Sequence, residues 1–368
     1  MIVKNNYNEC ITNFACSIRK YFELDYKHNT LDYIDKLLED KQPKNVVVIL
    51  FDGMGSRILD RTLDKDDLFI RNRYKEITTV FPATTTAATN SIMTGLNPVE
   101  HGYLGWYSYI EPLDKVVTLF TGINKEDQKL NEDYNEIREK YFVNKSIIDE
   151  INENGKYKGR RLYSFGENKY KDLDDMLSII KEECSKSGKK YIYAYNDEQD
   201  HTMHELGPDS DKVKELIRVR NKKVEDFSNE LEDTIVFVIA DHGHIKVDNI
   251  YLNDYPDLVN MLDRTTSLEP RAVSFKIKED MHEKFENRFM ELFGEYFNLY
   301  TKEDIINSKL FGDGDENLLF RSELGDYLAI AEESNKALLT DGDAILFSQH
   351  AGYTDDEIFV PIIIIDKS

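Results

Sequence analysis

Two hydrophobic patterns alternate along most of the chain. Short runs in which nearly every position is apolar are typical of parallel strands that are buried on both faces. Longer segments between them carry apolar residues every three to four positions, the spacing of an amphipathic helix. This alternation predicts an α/β fold with a mostly parallel sheet and helices on both faces. The predicted strands are 45–51, 76–80, 115–120, 160–164, 191–195, 234–240 and 360–365. One predicted helix begins near residue 86, and three others cover 145–153, 172–187 and 211–231.

The pattern changes at the start of the chain and again after residue 250. Residues 8–22 and 30–40 have helical periodicity without an intervening apolar run. Later, strand-like segments at 271–277 and 326–331 flank an amphipathic segment, 280–295, which indicates a small α+β unit. The predicted division is an N-terminal helical extension (1–44), an α/β core (45–250 and 341–368) and a small α+β insertion or cap (251–340).

The composition is that of a globular protein with an acidic surface. The 368 residues are 40% hydrophobic and 32% charged, and the formal net charge is −23. Binding to a nucleic-acid polymer or to an anionic membrane favours a basic surface, so neither partner is expected. The chain lacks an apolar signal core and a run long enough for a membrane-spanning helix, which predicts a cytoplasmic protein. Its three cysteines show no metal-binding spacing and are interpreted as free thiols.

Carboxylate and imidazole side chains follow two of the apolar runs directly. Asp52 comes after 46–51, and Asp241 and His242 come after 235–240. The carboxyl ends of parallel strands meet at one edge of a sheet, where ligands bind in open α/β folds. The sequence therefore predicts a metal centre at this edge.

A second group of candidate ligands lies further along the chain. Asp200 and His204 are four residues apart, so they would share one face of a helical turn and reach one metal. His350 precedes the last apolar strand. Six of the eight histidines lie in or beside candidate motifs of the chain, namely His101, His201, His204, His242, His244 and His350.

Residues 81–95 contain a candidate nucleophile. Pro82 and the threonines at 84, 85 and 86 mark the start of a helix. A hydroxyl at this position can simply cap the helix. Alternatively it can act as a nucleophile, because backbone N–H groups at a helix start bind phosphoryl oxygens and an adjacent metal lowers the pKa of the hydroxyl.

Several of these segments together resemble the alkaline phosphatase superfamily, and the nearest branch is the type I phosphodiesterase/nucleotide pyrophosphatase one. The resemblance covers roughly residues 45–250 and 340–368. The motifs that carry it are Phe51-Asp52-Gly53-Met54-Gly55, Val80-Phe81-Pro82 through Thr94-Gly95, Pro98-Val99-Glu100-His101-Gly102, Ala240-Asp241-His242-Gly243 and His350-Ala351-Gly352.

The resemblance implies a site for two divalent metal ions and a threonine nucleophile. By analogy, Asp52, Thr85, Asp241 and His242 hold one ion, and Asp200, His204 and His350 hold the other. Oxygen and imidazole ligands favour zinc, with manganese as the alternative. Thr85 is chosen over Thr84 and Thr86 by counting ten residues back from Gly95. His201 and His244 are left over and are interpreted as structural or as supporting the ligands.

The chain departs from the resemblance where substrate would bind. Nucleotide diesterases of this kind often have an asparagine shortly after His-Gly, and this chain has Trp106 followed by Tyr107. Both aromatic residues, together with Thr86, are predicted to contact substrate, and packing in the core is the alternative for the aromatics. We see no arginine that would hold the phosphate of a monoester.

The expected function is hydrolysis of a small phosphorylated or phosphodiester substrate through a phosphothreonine intermediate on Thr85. A phosphodiesterase or nucleotide pyrophosphatase is the first interpretation. The alternatives are a phosphomonoesterase or phosphonate hydrolase with the same site, and a metal-holding binding module without activity. The sequence makes no prediction about the oligomeric state.

Overall fold

The computed structural model describes residues 4–166 and 169–368. Its strands, in chain order, are β1 Asn45–Phe51, β2 Arg73–Thr78, β3 Tyr107–Ile110, β4 Lys115–Thr118, β5 Lys158–Leu162, β6 Lys190–Asn196, β7 Thr234–Ile239, β8 Ile245–Lys246, β9 Asp248–Tyr251, β10 Ser267–Glu269, β11 Ala272–Phe275, β12 Asn298–Thr301, β13 Tyr327–Ile330, β14 Lys336–Leu339, β15 Ser348–Gln349 and β16 Phe359–Lys367.

The α-helices are α1 Ile11–Tyr21, α2 Asp32–Lys41, α3 Ser56–Thr62, α4 Leu68–Arg71, α5 Thr85–Thr94, α6 Pro98–His101, α7 Tyr134–Tyr141, α8 Ile147–Asn154, α9 Leu173–Ser185, α10 Glu198–Leu206, α11 Asp211–Ser228, α12 Pro256–Val259, α13 His282–Phe293, α14 Lys302–Ser308, α15 Phe320–Glu323 and α16 Asp355–Ile358. Among the described residues, no helix is both long and apolar enough to cross a membrane.

A six-stranded sheet forms the centre of the fold, in the order β2-β16-β7-β1-β6-β5. Strands β5, β6, β1 and β7 are mutually parallel, and β16 runs antiparallel to both of its neighbours. Every residue of β1, β6 and β7 is buried. Because successive side chains of a strand point to opposite faces, both faces of this sheet are covered, as the apolar runs predicted.

Two groups of helices provide that cover. The first contains α1, α2, α5 and α8, which contact one another, and the second contains α3, α4, α9, α10 and α11. The mostly parallel α/β fold inferred from the alternating patterns is therefore confirmed. The helices of the N-terminal extension belong to the first group, since α1 packs on α5 and its apolar face joins the main core.

A second six-stranded sheet, in the order β12-β13-β11-β10-β3-β4, is antiparallel throughout. The strand predicted at 115–120 belongs to this sheet and pairs with Tyr107–Ile110, so its placement in the central sheet was wrong. A buried apolar run is compatible with either sheet, and only the tertiary pairing of Tyr107 with Leu268 decides between them. The sheet thus combines strands from both sides of residue 250.

A fully buried ion pair connects the second sheet to the loop that carries His350. Arg271 donates to both carboxylate oxygens of Glu357, at 2.6 and 2.8 Å, and both side chains are 0% exposed. Glu357 also accepts the backbone N–H of Gly352 at 2.8 Å. The pair therefore fixes the turn that begins at His350.

Arg271→Ala should lower the free energy of unfolding by about 3–5 kcal/mol, because it leaves the Glu357 charge buried and unpaired. Chemical denaturation monitored by circular dichroism measures this loss. The control is Arg321→Ala, which removes an exposed pair with Glu316 and should change the stability far less, because solvent screens the pair. Equal losses in the two variants would contradict a structural role for the buried pair.

Candidate metal centre and nucleophile

The site lies at the carboxyl edge of the central sheet. Asp52 follows β1, and Asp241 and His242 follow the neighbouring strand β7. Helix α10, which carries Asp200 and His204, follows β6 on the other side of β1. Three adjacent parallel strands thus deliver carboxylate and imidazole groups to one place, as the sequence pattern predicts.

The first cluster joins Thr85 to three buried side chains. The Thr85 hydroxyl lies 3.1 Å from His242 Nε2 and 3.4 Å from both carboxylate oxygens of Asp52. His242 Nε2 lies 3.2 Å from Asp52 Oδ1 and 3.7 Å from Asp241 Oδ2. Ligand atoms that share a tetrahedral ion at about 2.0–2.2 Å stand about 3.3–3.6 Å apart, so these separations suit a common cation.

The second cluster contains Asp200, His204, His350 and a further histidine, His244. Their ligand atoms all lie within 4.8 Å of one another. His204 Nε2 is 3.3 Å from Asp200 Oδ2, again a separation that two ligands of one ion would have. Asp200 also comes within the same distance limit of Asp52 and His242, so the two clusters adjoin.

Hydrogen bonds to the backbone leave the three predicted histidine ligands with a free Nε2. The Nδ1 atom of His242 lies 3.0 Å from Gly243 O, that of His204 lies 2.8 Å from Ser348 O, and that of His350 lies 3.1 Å from Ala83 O. A carbonyl oxygen can only accept, so each Nδ1 must carry a proton. In the neutral ring Nε2 is then an unprotonated lone pair, the form that binds a metal.

The carboxylates concentrate negative charge where little water can reach. Burial, followed by the charges of Asp241 and Asp200, raises the pKa of Asp52 well above its ordinary value. Burial also raises the pKa of Asp241, whose Oδ2 has no hydrogen-bond partner among the described residues. Burial alone would raise the pKa of Asp200, but His204 and His244 hold that pKa well below its ordinary value. Divalent cations fit this donor set, since they would neutralise the carboxylates and accept the imidazole lone pairs.

Thr85 is the first residue of α5, and Thr84 precedes it in an extended conformation as the N-cap. The three threonines are oriented differently. Of the three hydroxyls, only that of Thr85 lies close to the candidate ligands Asp52 and His242. The Thr84 hydroxyl donates to Glu269 at 2.6 Å, and the Thr86 hydroxyl is buried without a hydrogen-bond partner among the described residues. Geometry therefore favours Thr85 as the nucleophile, and a substrate contact by Thr86 remains a prediction that its burial does not support.

The loop of Thr85 and the loop of His350 share one carbonyl. Ala83 O lies 3.1 Å from the Nδ1 of His350 and accepts the backbone N–H of Ala351 at 2.8 Å. The chain before the nucleophile is thereby attached to a candidate ligand of the second cluster.

The predicted aromatic contacts, Trp106 and Tyr107, lie at the start of β3. The Trp106 ring is 41% exposed and packs against Phe120, with 5.4 Å between ring centroids. The Tyr107 hydroxyl donates to Gly342 O, and the ammonium of Lys125 lies 4.4 Å from the centre of its ring. Trp106 is thus open to a ligand while Tyr107 is fixed by the surrounding loops, and their role in substrate binding remains a prediction.

Sequence reasoning missed two side chains that bear on the site. The Tyr195 hydroxyl donates to Asp52 Oδ2, at the end of a strand read only as apolar. Glu269 was placed in the insertion, yet it accepts from Thr84 and from the backbone N–H of Trp106 at 2.7 Å. Burial raises the pKa of Glu269 to about 7. No spacing in the sequence relates residue 269 to the motifs, so the contacts of Glu269 with Thr84 and Trp106 could not be predicted from the sequence.

The remaining histidines have different environments. His201 is exposed and lies near Glu205, and His101 is buried and fixed by Ser91 and the backbone of Tyr103. His244 Nε2 is 2.6 Å from Asp200 Oδ1, and its Nδ1 lies 2.9 Å from the Ser348 hydroxyl. Ser348 donates its own proton to Met203 O, so Nδ1 of His244 must donate to Ser348 Oγ. Burial lowers the pKa of His244 to about 4, and in the neutral ring Nε2 is then unprotonated, as in the three predicted histidine ligands. His244 is therefore a further candidate ligand of the second cluster.

A mostly parallel sheet of this kind is the fold of ectonucleotide pyrophosphatase/phosphodiesterase 5 and of phosphonoacetate hydrolase. The sequence model of the type I phosphodiesterase / nucleotide pyrophosphatase family matches residues 46–166 and 156–354, which together make up most of the chain, and the protein belongs to that family.

Solved structures share the fold at low sequence identity. Murine ectonucleotide pyrophosphatase/phosphodiesterase 5, solved as an inactive variant in complex with AMP, is 17% identical with a TM-score of 0.65, covering 88% of each chain. The human protein of the same name is 18% identical with a TM-score of 0.63, covering 87% of each chain. Phosphonoacetate hydrolase from Sinorhizobium meliloti 1021, in complex with phosphonoformate, is 14% identical with a TM-score of 0.62, covering 88% of this chain and 90% of the other. A comparison with curated proteins gives no match.

His244→Leu should weaken binding of the second metal by about 10–100-fold, because the second cluster loses an imidazole that faces Asp200. Titration of the metal-free protein with zinc in competition with a chromophoric chelator measures both affinities. The control, His201→Gln, should have no effect because His201 is exposed. An unchanged zinc affinity in His244→Leu would show that the second metal does not depend on His244.

Proposed function

We propose that this protein is a two-metal phosphodiesterase of the nucleotide pyrophosphatase type, with Thr85 as its nucleophile. The observation that carries the proposal is the position of the Thr85 hydroxyl, within 3.1–3.4 Å of His242 and Asp52 at the start of a helix. Membership of the family supports a phosphoester hydrolase. Aligned N–H groups and the helix dipole at the start of α5 favour a phosphoryl group there.

In the proposed reaction, the Thr85 hydroxyl releases its proton to solvent and the bond between Oγ1 and phosphorus forms as the bond from phosphorus to the leaving group breaks. The group leaves as an alkoxide, which takes up a proton from solvent. Water then hydrolyses the phosphothreonine ester, which restores the hydroxyl and releases the other part of the substrate as a phosphate monoester. Asp52, Asp241, His242 and Thr85 would hold one divalent ion, and Asp200, His204 and His350 the other. When bound, the two ions stabilise the charges that develop on the attacking and leaving oxygens.

The metals are proposed to be zinc, because imidazole and carboxylate ligands at tetrahedral spacing suit it, with manganese as the alternative. The substrate is proposed to be small, since the net charge of −23 disfavours a polyanionic polymer. Structural neighbours have been solved with AMP and with phosphonoformate, which are small phosphorus compounds.

Thr85→Ala should lower the turnover of bis(p-nitrophenyl) phosphate by at least about 1,000-fold, because the variant has no attacking hydroxyl. Metal content measured by elemental analysis should stay near two ions per chain, since three side chains remain in the first cluster. The matched control is Thr202→Ala, which removes a hydroxyl that only donates to the backbone of α10. Wild-type turnover in Thr85→Ala would eliminate Thr85 as the nucleophile.

Removal of the metals should abolish diester hydrolysis, and readdition of zinc should restore it. The buried carboxylates repel one another without cations, so the metal-free protein should also melt at a lower temperature than the zinc-loaded form. Activity and melting temperature are measured on the same chelator-treated samples, titrated with zinc and, separately, with manganese. Full activity after complete chelation would contradict a metal-dependent reaction.

A further inference from the structure

The wall beside the proposed nucleophile carries a carboxylate. Glu269 lies at the end of β10 and is almost completely buried. Its Oε1 accepts two hydrogen bonds, from the Thr84 hydroxyl at 2.6 Å and from the Trp106 backbone N–H at 2.7 Å. Thr84 directly precedes Thr85, so this carboxyl group is attached to the segment that presents the nucleophile.

The second oxygen of Glu269 has no structural role of its own. Among the residues that the structure describes, no donor bonds to Oε2. This oxygen is also not one of the polar atoms that are fully buried and lack a hydrogen-bond partner. It therefore contacts open space next to Thr84 and Trp106.

Within the described ranges, no lysine or arginine forms an ion pair with Glu269 or with the carboxylates of the two clusters. The buried ammonium of Lys125 interacts with Glu269 through its charge, but its ion pair is with Asp343, at 2.8 Å. A substrate at Thr85 would thus lie next to a segment that carries a carboxylate without an ion-pair partner.

We propose that Glu269 determines specificity by disfavouring phosphoryl groups that carry two negative charges. A phosphate monoester has a charge of about −1.5 to −2 at neutral pH, whereas a diester has a single charge. Phosphorus must lie within about 3–3.5 Å of the attacking oxygen, so the extra charge of a monoester would be brought close to the Thr84–Glu269 pair. Like charges juxtaposed in a buried site are costly. The inference rests on the proposed function and names its substrate class as singly charged phosphoesters.

The test compares wild type with Glu269→Gln at pH 8, above the pKa of about 7 that burial gives this carboxyl group. Glutamine keeps an oxygen that can accept from Thr84 and Trp106 but removes the charge. We expect kcat/KM for p-nitrophenyl phosphate to rise by about 10-fold or more, while that for bis(p-nitrophenyl) phosphate changes by less than about 3-fold. Inhibition by inorganic phosphate, which is a doubly charged probe at this pH, should strengthen by a similar factor.

Two controls separate charge from shape and from general disturbance. The p-nitrophenyl ester of phenylphosphonate has a single charge, so it should behave like the diester although its bonds to phosphorus differ. Glu323→Gln removes another fully buried carboxyl group, at the end of α15, which has no hydrogen bond to Thr84 among the described residues, and should leave the ratio of monoester to diester rates unchanged. Melting temperatures and zinc content confirm that each variant is folded and loaded.

The outcomes are distinct. If zinc-loaded wild type cleaves none of the three esters, the proposed function fails. If wild type cleaves the diester but Glu269→Gln leaves the ratio unchanged, the specificity proposal alone fails. If Glu269→Gln lowers kcat/KM equally for all three esters, Glu269 only positions the Thr84 segment, and the proposal is overturned as well.

Discussion

The structure depends on bringing Asp52, Asp200 and Asp241 together at one edge of a buried sheet, where their charges repel. This arrangement lowers the stability of the folded protein, because burying a carboxylate costs free energy unless the carboxylate is paired. Among the described residues, no lysine or arginine pairs with these carboxylates. The surrounding groups are mainly imidazoles, and backbone carbonyls hold their Nδ1 protons so that the lone pairs face the carboxylates. The whole edge is arranged for cations, and the rest of the chain holds it in that arrangement.

The parts that hold it come from very different places in the chain. The three ligand-bearing segments after β1, β6 and β7 are fixed by a wholly buried sheet. His350 lies in a turn that depends on the ion pair between Arg271 and Glu357. Arg271 lies between strands β10 and β11 of the second sheet, and Glu357 lies in α16. Glu269 of the same sheet attaches to Thr84. The second sheet is therefore a support for the catalytic edge as well as a wall of the site.

Sequence was a good guide where local pattern and chemistry coincide. Asp52 and Asp241 follow apolar runs that can only be buried strands, so their place at the sheet edge could be predicted from position. Asp200 and His204 have the spacing of a helical turn, and α10 supplies it. The choice of Thr85 from three threonines needed the family spacing, and of the three hydroxyls only that of Thr85 faces the candidate ligands Asp52 and His242.

Sequence failed where tertiary pairing decides. The run at 115–120 looks like any buried strand, and its pairing with Tyr107–Ile110 is not encoded in its own residues. The bond from Glu269 to Thr84 spans 185 positions, and the role of His244 depends on Ser348, 104 positions away. Such contacts have no periodicity and no characteristic spacing. A contact of this kind can be found only once the fold is known.

The carbonyl of Ala83 has a mechanical consequence. Because it holds both the ring of His350 and the amide of Ala351, a displacement of the histidine is transmitted to the peptide two residues before Thr85. An ion of larger radius in the second cluster would push His350 outward and shift the attacking oxygen with it. The identity of the metal would then affect the position of the Thr85 hydroxyl as well as the local charge. Two metal ions that bind equally tightly need not give equal reaction rates.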